Sequence, residues 1–121
     1  MRQEINEIME MLQINERLSG VRQRLLLLDS GNSQRIRDEI TGINRLIPTE
    51  SVSDNDDVGM RFLLVGCCYF ELNELDLASQ SLDRAMMEIW ASDINKSLAH
   101  WLTGLIQNAR RNFTRAIHHS L

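Results

Sequence analysis

The sequence predicts an all-α protein of about five or six helices packed as antiparallel pairs. Apolar residues recur at three- and four-residue spacing along most of the chain, which is the pattern of amphipathic helices. The 121 residues include one proline and few runs of β-branched residues, so strands are not favoured. With 43% hydrophobic and 25% charged residues, the composition is that of a single globular domain.

The N-terminal part predicts one long amphipathic helix followed by a shorter one. The apolar spacing runs over residues 2–28, with a break or kink expected at Ser19-Gly20, and a turn cluster follows at residues 29–32. Ser33 is placed to cap the second helix, and Pro48 ends it. The expected core face of this second helix is Ile36, Ile40, Ile43 and Ile47.

Two further helices are expected after a polar, acidic loop at residues 49–57. Asp56 or Asp57 is expected to cap the first of them, because carboxylates are favoured at helix N-termini. Asn73-Glu74 then turns the chain into a helix over residues 75–90. The side chains expected to face inward on that helix are Leu75, Ala78, Leu82, Ala85, Met86 and Ile89.

The C-terminal part predicts a fifth helix, a turn and a sixth helix. Ser92 or Asp93 is expected to cap the fifth helix, and residues 108–112 are expected to turn the chain again. The fifth helix carries Leu98, Trp101, Leu102, Leu105 and Ile106, and the sixth opens with Phe113, Ala116 and Ile117.

One spacing of small residues occurs twice. Gly66 is followed by Tyr69 three residues on and by Ala78 twelve on, and Gly104 is followed by Ala116 at the same twelve-residue distance. A glycine inside an apolar helix costs roughly 1 kcal/mol against alanine, so it often marks a point where another helix comes very close. We therefore expect both glycines to face a second helix.

This helix–turn–helix pattern resembles the tetratricopeptide repeat, whose period is about 34 residues. The two glycines lie 38 residues apart, and the extra residues fit a loop at 93–96. The first copy matches the family signature at Gly66, Tyr69, Ala78, Leu82 and Ala85, and the second copy matches at Gly104, Phe113 and Ala116, with Gln107 in the place of a tyrosine. The resemblance implies a right-handed superhelical stack of antiparallel helix pairs.

The resemblance divides the chain into three parts. Residues 1–48 hold the N-terminal amphipathic helix and a helical hairpin that is readable as a degenerate repeat, and residues 49–57 form the acidic loop. Residues 58–121 hold one clear repeat and a second, truncated one. Because the second repeat stops before a full period closes, we expect further chain or another protein to cover its open face.

The resemblance also implies a concave groove lined by the first helix of each pair. Its positions are Met60, Leu63, Cys67, Phe70 and Glu71 in the first copy, and Leu98, Trp101, Leu105, Asn108 and Ala109 in the second. This lining is mostly apolar, so the expected function is that of a scaffold or adaptor module within a larger signalling or regulatory protein. Such a module would bind an apolar helix or peptide of another protein, with the acidic loop favouring basic partners.

Three alternatives remain open at this point. Residues 2–16 form an amphipathic helix that could fold back into the groove and fill it. The chain could instead be a homo-oligomerisation domain in which residues 2–28 and the open C-terminal face pair with a second copy. It could also be a small chaperone for a secreted or assembling subunit.

The charge distribution excludes some partners. The net charge is −4, and residues 49–92 carry two arginines against nine acids, whereas residues 93–121 carry four bases against one acid. Nucleic-acid binding needs a clustered basic surface, and the cluster of Arg110, Arg111 and Arg115 is small enough for a solvated helix face. No nucleic-acid or membrane partner is expected, since the longest apolar run is far shorter than a membrane span.

No enzyme activity, cofactor or metal site is expected. The adjacent Cys67 and Cys68 fit small apolar side chains on a buried helix, and His118 and His119 lack acids or cysteines at metal-ligand spacing. His100 is expected at a helix-packing interface. The absence of a leader-like segment and of a disulfide pattern predicts a cytoplasmic protein.

Overall fold

The computed structural model describes residues 2–14, 16–27, 31–46 and 56–120, and its regular elements there are all α-helices. These helices confirm the predicted all-α class. They are α1 (Arg2–Met11), α2 (Glu16–Leu26), α3 (Ser33–Leu46), α4 (Asp57–Glu71), α5 (Leu75–Met87) and α6 (Asp93–Ser120). The expectations for Leu28 and the turn after it, for Ile47 and Pro48, and for most of the acidic loop lie outside the described residues.

Each helix contacts the next one along the chain, and α1 also contacts α6. Helices α5 and α6 are antiparallel, because Gln107 Nε2 donates to Ser79 Oγ at 2.6 Å and Arg110 Nε pairs with Asp76 Oδ1 at 2.9 Å. In a solenoid each unit contacts only its neighbours. The additional α1–α6 contact therefore makes this a more closed arrangement than a simple stack.

Helix α4 is the most deeply buried element. It is apolar over most of its surface, so it must be covered on several sides, and α3 and α5 contact it directly. One hydrophobic cluster unites buried side chains from all six helices. Those contributed by α4 are Met60, Leu63, Leu64, Val65, Cys67 and Cys68.

The turn between α4 and α5 forms where the sequence predicts it. Asn73 has a φ of 59°, the left-handed conformation that asparagine tolerates better than most residues. Glu74 N donates to Tyr69 O at 3.0 Å and Asn73 N donates to Phe70 O at 3.0 Å. This pair of hydrogen bonds is the Schellman helix end, which satisfies two of the last carbonyls of α4.

The turn predicted at residues 108–112 is wrong, because α6 continues unbroken through it to Ser120. The segment contains neither glycine nor proline, and its alanine and arginines favour helix. There is consequently no separate sixth helix after a turn. The truncated second repeat does not form an antiparallel helix pair.

The N-terminal break lies at residues 12–14, directly after α1, and not at Ser19-Gly20. Gly20 sits on an exposed side of α2, where a missing side chain is tolerated. At the start of α3 the capping side chain is Asn32, whose Oδ1 accepts from Arg35 N at 3.2 Å, and not the predicted Ser33.

Helix α5 ends at Met87, three residues earlier than predicted. Ile89, expected to face inward, is 88% exposed instead. The indole of Trp90 packs back against α4 and α5, and its Nε1 donates to Ala85 O at 3.0 Å. Its ring lies so close to Gly59 that a Cβ there would stand 2.7 Å from it. The contact joins Trp90 to Gly59, which is far away in the sequence, so the local sequence does not reveal where α5 ends.

Asp56 precedes α4, as predicted, but its carboxylate does not cap that helix. The two carboxylate oxygens accept from Ala91 N at 2.6 Å and from Ser92 N at 3.2 Å. Ser92 in turn caps α6, as predicted, since its Oγ accepts from Asn95 N at 3.2 Å. The start of α4 is thereby tied to the connection between α5 and α6.

In the part of the chain that the structure describes, none of the helices combines the length and apolar character needed to cross a membrane.

Candidate functional site

Most of the predicted groove lining in α4 is buried. Met60, Leu63 and Cys67 all belong to the hydrophobic core, and so does Leu98 in α6. Phe70 and Glu71 are half-buried at the end of α4. These four core side chains are packed inside the protein, so none of them is an open position of a groove.

Helix α1 belongs to the same core. Its apolar face is buried in the same cluster as the groove positions, through Ile5, Ile8, Met9 and Leu12. Helix α1 also contacts α6, and the filling of the groove by residues 2–16 stays a prediction.

A set of partly buried polar contacts around Asn95 fixes the end of α1. Asn95, which is 1% exposed, accepts from Gln13 N at 2.8 Å and donates to Gln13 O at 3.0 Å. The same amide donates to Asp56 Oδ2 at 3.3 Å. Ser92 Oγ and Gln13 Oε1 add a further hydrogen bond of 2.8 Å. Asn95 thus joins the end of α1, the start of α4 and the first turn of α6.

The predicted packing residues of the first copy lie together. A Cβ added to Gly66 would collide with Leu82 Cδ2 and would stand 3.5 Å from Ala78 O, so α4 and α5 approach closely at this point. Ala78, Leu82 and Ala85 are fully buried, whereas Tyr69 is half-buried at the edge of the core.

The predicted packing residues of the second copy do not behave in the same way. A Cβ added to Gly104 would meet nothing within 4 Å, so no helix approaches it. Phe113 is 48% exposed. Ala116 lies within α6, and its side chain is outside the described part of the structure. The common twelve-residue spacing therefore marks a helix crossing in one case and a stretch of a single helix in the other.

One exposed surface remains from the predicted site, and we call it the Trp101 face. Trp101 is 42% exposed, and Ile94, one heptad earlier on the same side of α6, is 51% exposed. Leu105 is half-buried beside them, while Gly104 and Asn108 are exposed. The Trp101 face is defined by these five residues, and it carries no formal charge.

A second surface lies between the start of α5 and the C-terminal half of α6, and we call it the α5–α6 groove. Its volume is about 500 Å³, and it is lined by Asn73, Glu74, Leu75, Asp76, Leu77, Arg110, Phe113 and Thr114. Sequence reasoning missed this groove, because it exists only where α6 continues past the predicted turn. The signal that could have revealed it is the apolar Phe113, three residues after Arg110 on an uninterrupted helical pattern.

The thiols and ionisable groups of the described residues offer no metal site. Cys67 and Cys68 are buried and not joined in a disulfide, and no group of three or more His, Cys, Asp or Glu in this part of the chain could hold a metal. Burial lowers the pKa of the Arg61 guanidinium, which donates to Asn44 Oδ1 at 2.9 Å. His100, expected at a packing interface, is exposed on α6 instead.

No protein-family model, curated protein or solved structure matches this chain. Function is therefore inferred from the residues of the two exposed surfaces.

Proposed function

We propose that the chain is a protein-interaction module that binds the apolar side of an amphipathic helix from another protein on the Trp101 face. The observation that carries this proposal is the exposure of Trp101 together with Ile94 on one line of α6. Tryptophan is enriched among the residues that dominate interface energies. An exposed pair of large apolar side chains on one helix face fits a docking surface for a partner helix.

The form of the surface favours a helix as the occupant. Ile94, Trp101 and Asn108 repeat at heptad spacing, which matches the contact line of two packed helices. Gly104, next to Trp101 on this face, has no neighbour within 4 Å of an added Cβ, so a partner backbone can come close there. The absence of formal charge on the face favours apolar anchors over a charged motif.

The position of this surface revises the expected binding mode. Because the groove positions Met60, Leu63 and Cys67 of α4 are buried, the partner is proposed to bind on α6 alone, at the predicted positions that form the Trp101 face. The tetratricopeptide interpretation is proposed only for α4 and α5, where Gly66 meets Leu82 and Ala78. A cytoplasmic location is proposed because the two buried cysteines are not joined in a disulfide.

The energy available at the face is sufficient for a measurable effect. Tryptophan buries up to about 250 Å², so covering the exposed 42% of Trp101 would remove about 100 Å² from water. At about 25 cal/mol per Å² this corresponds to about 2.5 kcal/mol, before the costs of association. We therefore expect Trp101→Ala to raise a dissociation constant roughly tenfold to a hundredfold.

The test uses a synthetic amphipathic peptide with leucine at positions i, i+3, i+4 and i+7, and a scrambled peptide of the same composition. Fluorescence anisotropy is expected to show binding of the first peptide and not of the second. Trp101→Ala should weaken it, whereas Ile89→Ala, at an 88% exposed site between α5 and α6, should not. Equal binding by the wild type and Trp101→Ala, or no binding of the ordered peptide, contradicts the proposal.

A further inference from the structure

The buried face of α6 continues into solvent at its C-terminal end. Leu102 and Ile106 are completely buried on this face, and Phe113, one heptad after Ile106, is 48% exposed. The ion pair between Arg110 and Asp76 places the first turn of α5 opposite Arg110. Because the two helices are antiparallel, α6 from residue 111 onward runs past the beginning of α5. Phe113 therefore stands on a core face for which α5 supplies no cover.

The α5–α6 groove lies at this point and has an apolar centre. Phe113 on one side faces Leu75 and Leu77 on the other, and Leu77 is 41% exposed. A volume of about 500 Å³ is within the range of cavities that accept a large side chain or a small ligand. The groove can thus take an aromatic or leucine side chain from outside.

The two edges of the groove have opposite charge. Glu74 and Asp76 stand on the α5 edge, and Arg110 stands on the α6 edge. Asp76 is 77% exposed in its ion pair with Arg110. Glu74 Oε1 accepts from Arg37 at 2.7 Å, and its Oε2 is buried without a hydrogen-bond partner. The two chain segments that supply these edges have net charges of the same signs: residues 49–92 carry mostly acids, and residues 93–121 carry mostly bases. An occupant of this groove must be apolar at its centre and must carry a basic and an acidic edge.

We propose that the α5–α6 groove is the interface of a homodimer, in which a second copy of this chain places its own Phe113 and Arg110 against Leu77 and Asp76. The surface is self-complementary, as a two-fold interface requires. Rotation about an axis beside Phe113 brings the acidic edge of each copy onto the basic edge of the other. Both exposed phenylalanines are covered by the same contact, and each Arg110 gains a second carboxylate.

This interface differs from the one that the sequence predicted. Residues 2–28 were expected to pair between copies, but the apolar faces of α1 and α2 are buried within one chain, at Ile5, Ile8, Leu18, Val21 and Leu25. What remains of that prediction is the C-terminal face. A deletion of α1 is therefore unsuitable as a test, because it would remove part of the core.

The first measurement is sedimentation equilibrium of the full chain over a wide range of concentration. A reversible monomer–dimer equilibrium is expected. Phe113→Ala should raise the dimer dissociation constant on the order of a hundredfold, since each dimer loses two apolar contacts. Alanine favours helix, so the variant should keep the wild-type circular dichroism.

The second measurement identifies the charged contact as one between chains. Arg110→Glu and Asp76→Arg should each weaken the homodimer about tenfold, because each change occurs twice per dimer. An equimolar mixture of the two variants should form a heterodimer, which a contact confined to one chain cannot explain. Arg111→Glu is the matched control, since Arg111 lies about 160° round α6 from Phe113 and should leave the dimer unchanged.

Three results overturn the proposal. A wild-type chain that is monomeric at every concentration excludes the dimer. A dimer that survives both Phe113→Ala and Arg110→Glu uses another face. A mixture of the charge variants that forms no heterodimer shows that the ion pair acts within one chain. The proposed function is tested independently of the dimer, because Trp101→Ala should weaken peptide binding and leave the dimer dissociation constant unchanged.

Discussion

Alanine substitution of two glycines is expected to change stability in opposite directions. Gly66 and Gly104 both lie inside helices with an apolar stripe, and the same twelve-residue spacing follows each. A Cβ at Gly66 would collide with Leu82 Cδ2, and Leu82 is completely buried, so it has little room to move. A Cβ at Gly104 would extend into open space.

The magnitudes follow from two competing effects. Replacing glycine by alanine inside a helix gains up to about 1 kcal/mol, and overpacking a dense core costs about 1–3 kcal/mol. We expect Gly66→Ala to lower the free energy of unfolding by about 1–2 kcal/mol after the helical gain. Gly104→Ala should raise it by about 0.5–1 kcal/mol. The two variants would then differ by about 1.5–3 kcal/mol for the same chemical change.

Urea unfolding monitored by helical circular dichroism measures both values. A double-mutant cycle tests the assigned cause: Leu82→Ala alone should cost about 2–5 kcal/mol by leaving a cavity, and Gly66→Ala should be neutral or stabilising in that background. The reasoning is refuted if Gly66→Ala is as stable as the wild type or more so. It is also refuted if removal of the Leu82 side chain does not relieve its effect.

Three further substitutions test contacts that hold the helices in place. Asn95→Ala should lower the free energy of unfolding by about 1–3 kcal/mol, because both backbone groups of Gln13 lose their partner. Gly59→Ala should cost about 1–3 kcal/mol, because the added methyl group would press on the ring of Trp90. Asn73→Ala should cost about 1 kcal/mol, whereas Asn73→Gly should not, because the turn requires a positive φ. Thermal and urea unfolding measure all of them.

Each of these substitutions has a control at a similar but unconstrained site. Asn108→Ala, on the exposed side of α6, should change stability by less than about 0.5 kcal/mol. Gly42→Ala should stabilise α3, because its Cβ would meet nothing within 4 Å. If Asn95→Ala is as mild as Asn108→Ala, or Gly59→Ala is as favourable as Gly42→Ala, the assigned contacts are unimportant.

The α4–α5 pair could be predicted from the sequence because its determinants are local. Gly66 and Ala78 supply small residues at the crossing, and Asn73 supplies a residue that accepts the left-handed conformation of the turn. These signals lie within a few helical turns of one another. The apolar pattern, the turn residue and the small residues at the crossing all indicate the same helix pair. The prediction of α4 and α5 therefore agrees with the fold.

The C-terminal helix could not be predicted from the repeated spacing alone. Gly104 and Ala116 copy the offset of Gly66 and Ala78, but two asparagines between them are too weak to end a helix without a positive φ or a proline. The comparison with Asn73 is instructive. After Asn73, helix α5 packs back on α4, and the burial of α5 favours a break in the helix at that turn.

The N-terminal break depends on distant contacts. Residues 12–14 lie outside the helices, and there the side chain of Asn95, 82 positions further along the chain, bonds to both backbone groups of Gln13. No local pattern distinguishes this point from Ser19-Gly20, where the helix continues. The burial of Met60 and Leu63 also depends on distant contacts. Positions predicted to line a groove stay open only where no other part of the chain packs against them, and the local sequence does not show this.

Together, the two proposals predict a bivalent binding protein. Trp101 and Phe113 are separated by about 18 Å along α6 and by about a third of a turn around it, so one surface can be occupied while the other is paired. A dimer formed through Phe113 would therefore present two Trp101 faces. Two linked contacts bind more tightly than one, because the second becomes intramolecular.

A tandem peptide tests this consequence. Two copies of the amphipathic probe joined by a long flexible linker should bind the wild-type chain at least about a hundredfold more tightly than a single copy, provided that the linker spans both faces. Phe113→Ala should abolish this gain and keep the affinity for the single peptide, because Trp101 remains intact in the monomer. Trp101→Ala should weaken both peptides and keep the dimer. A gain that persists in the monomeric Phe113→Ala variant would show that the second contact lies on the same chain, and the bivalent arrangement would then be wrong.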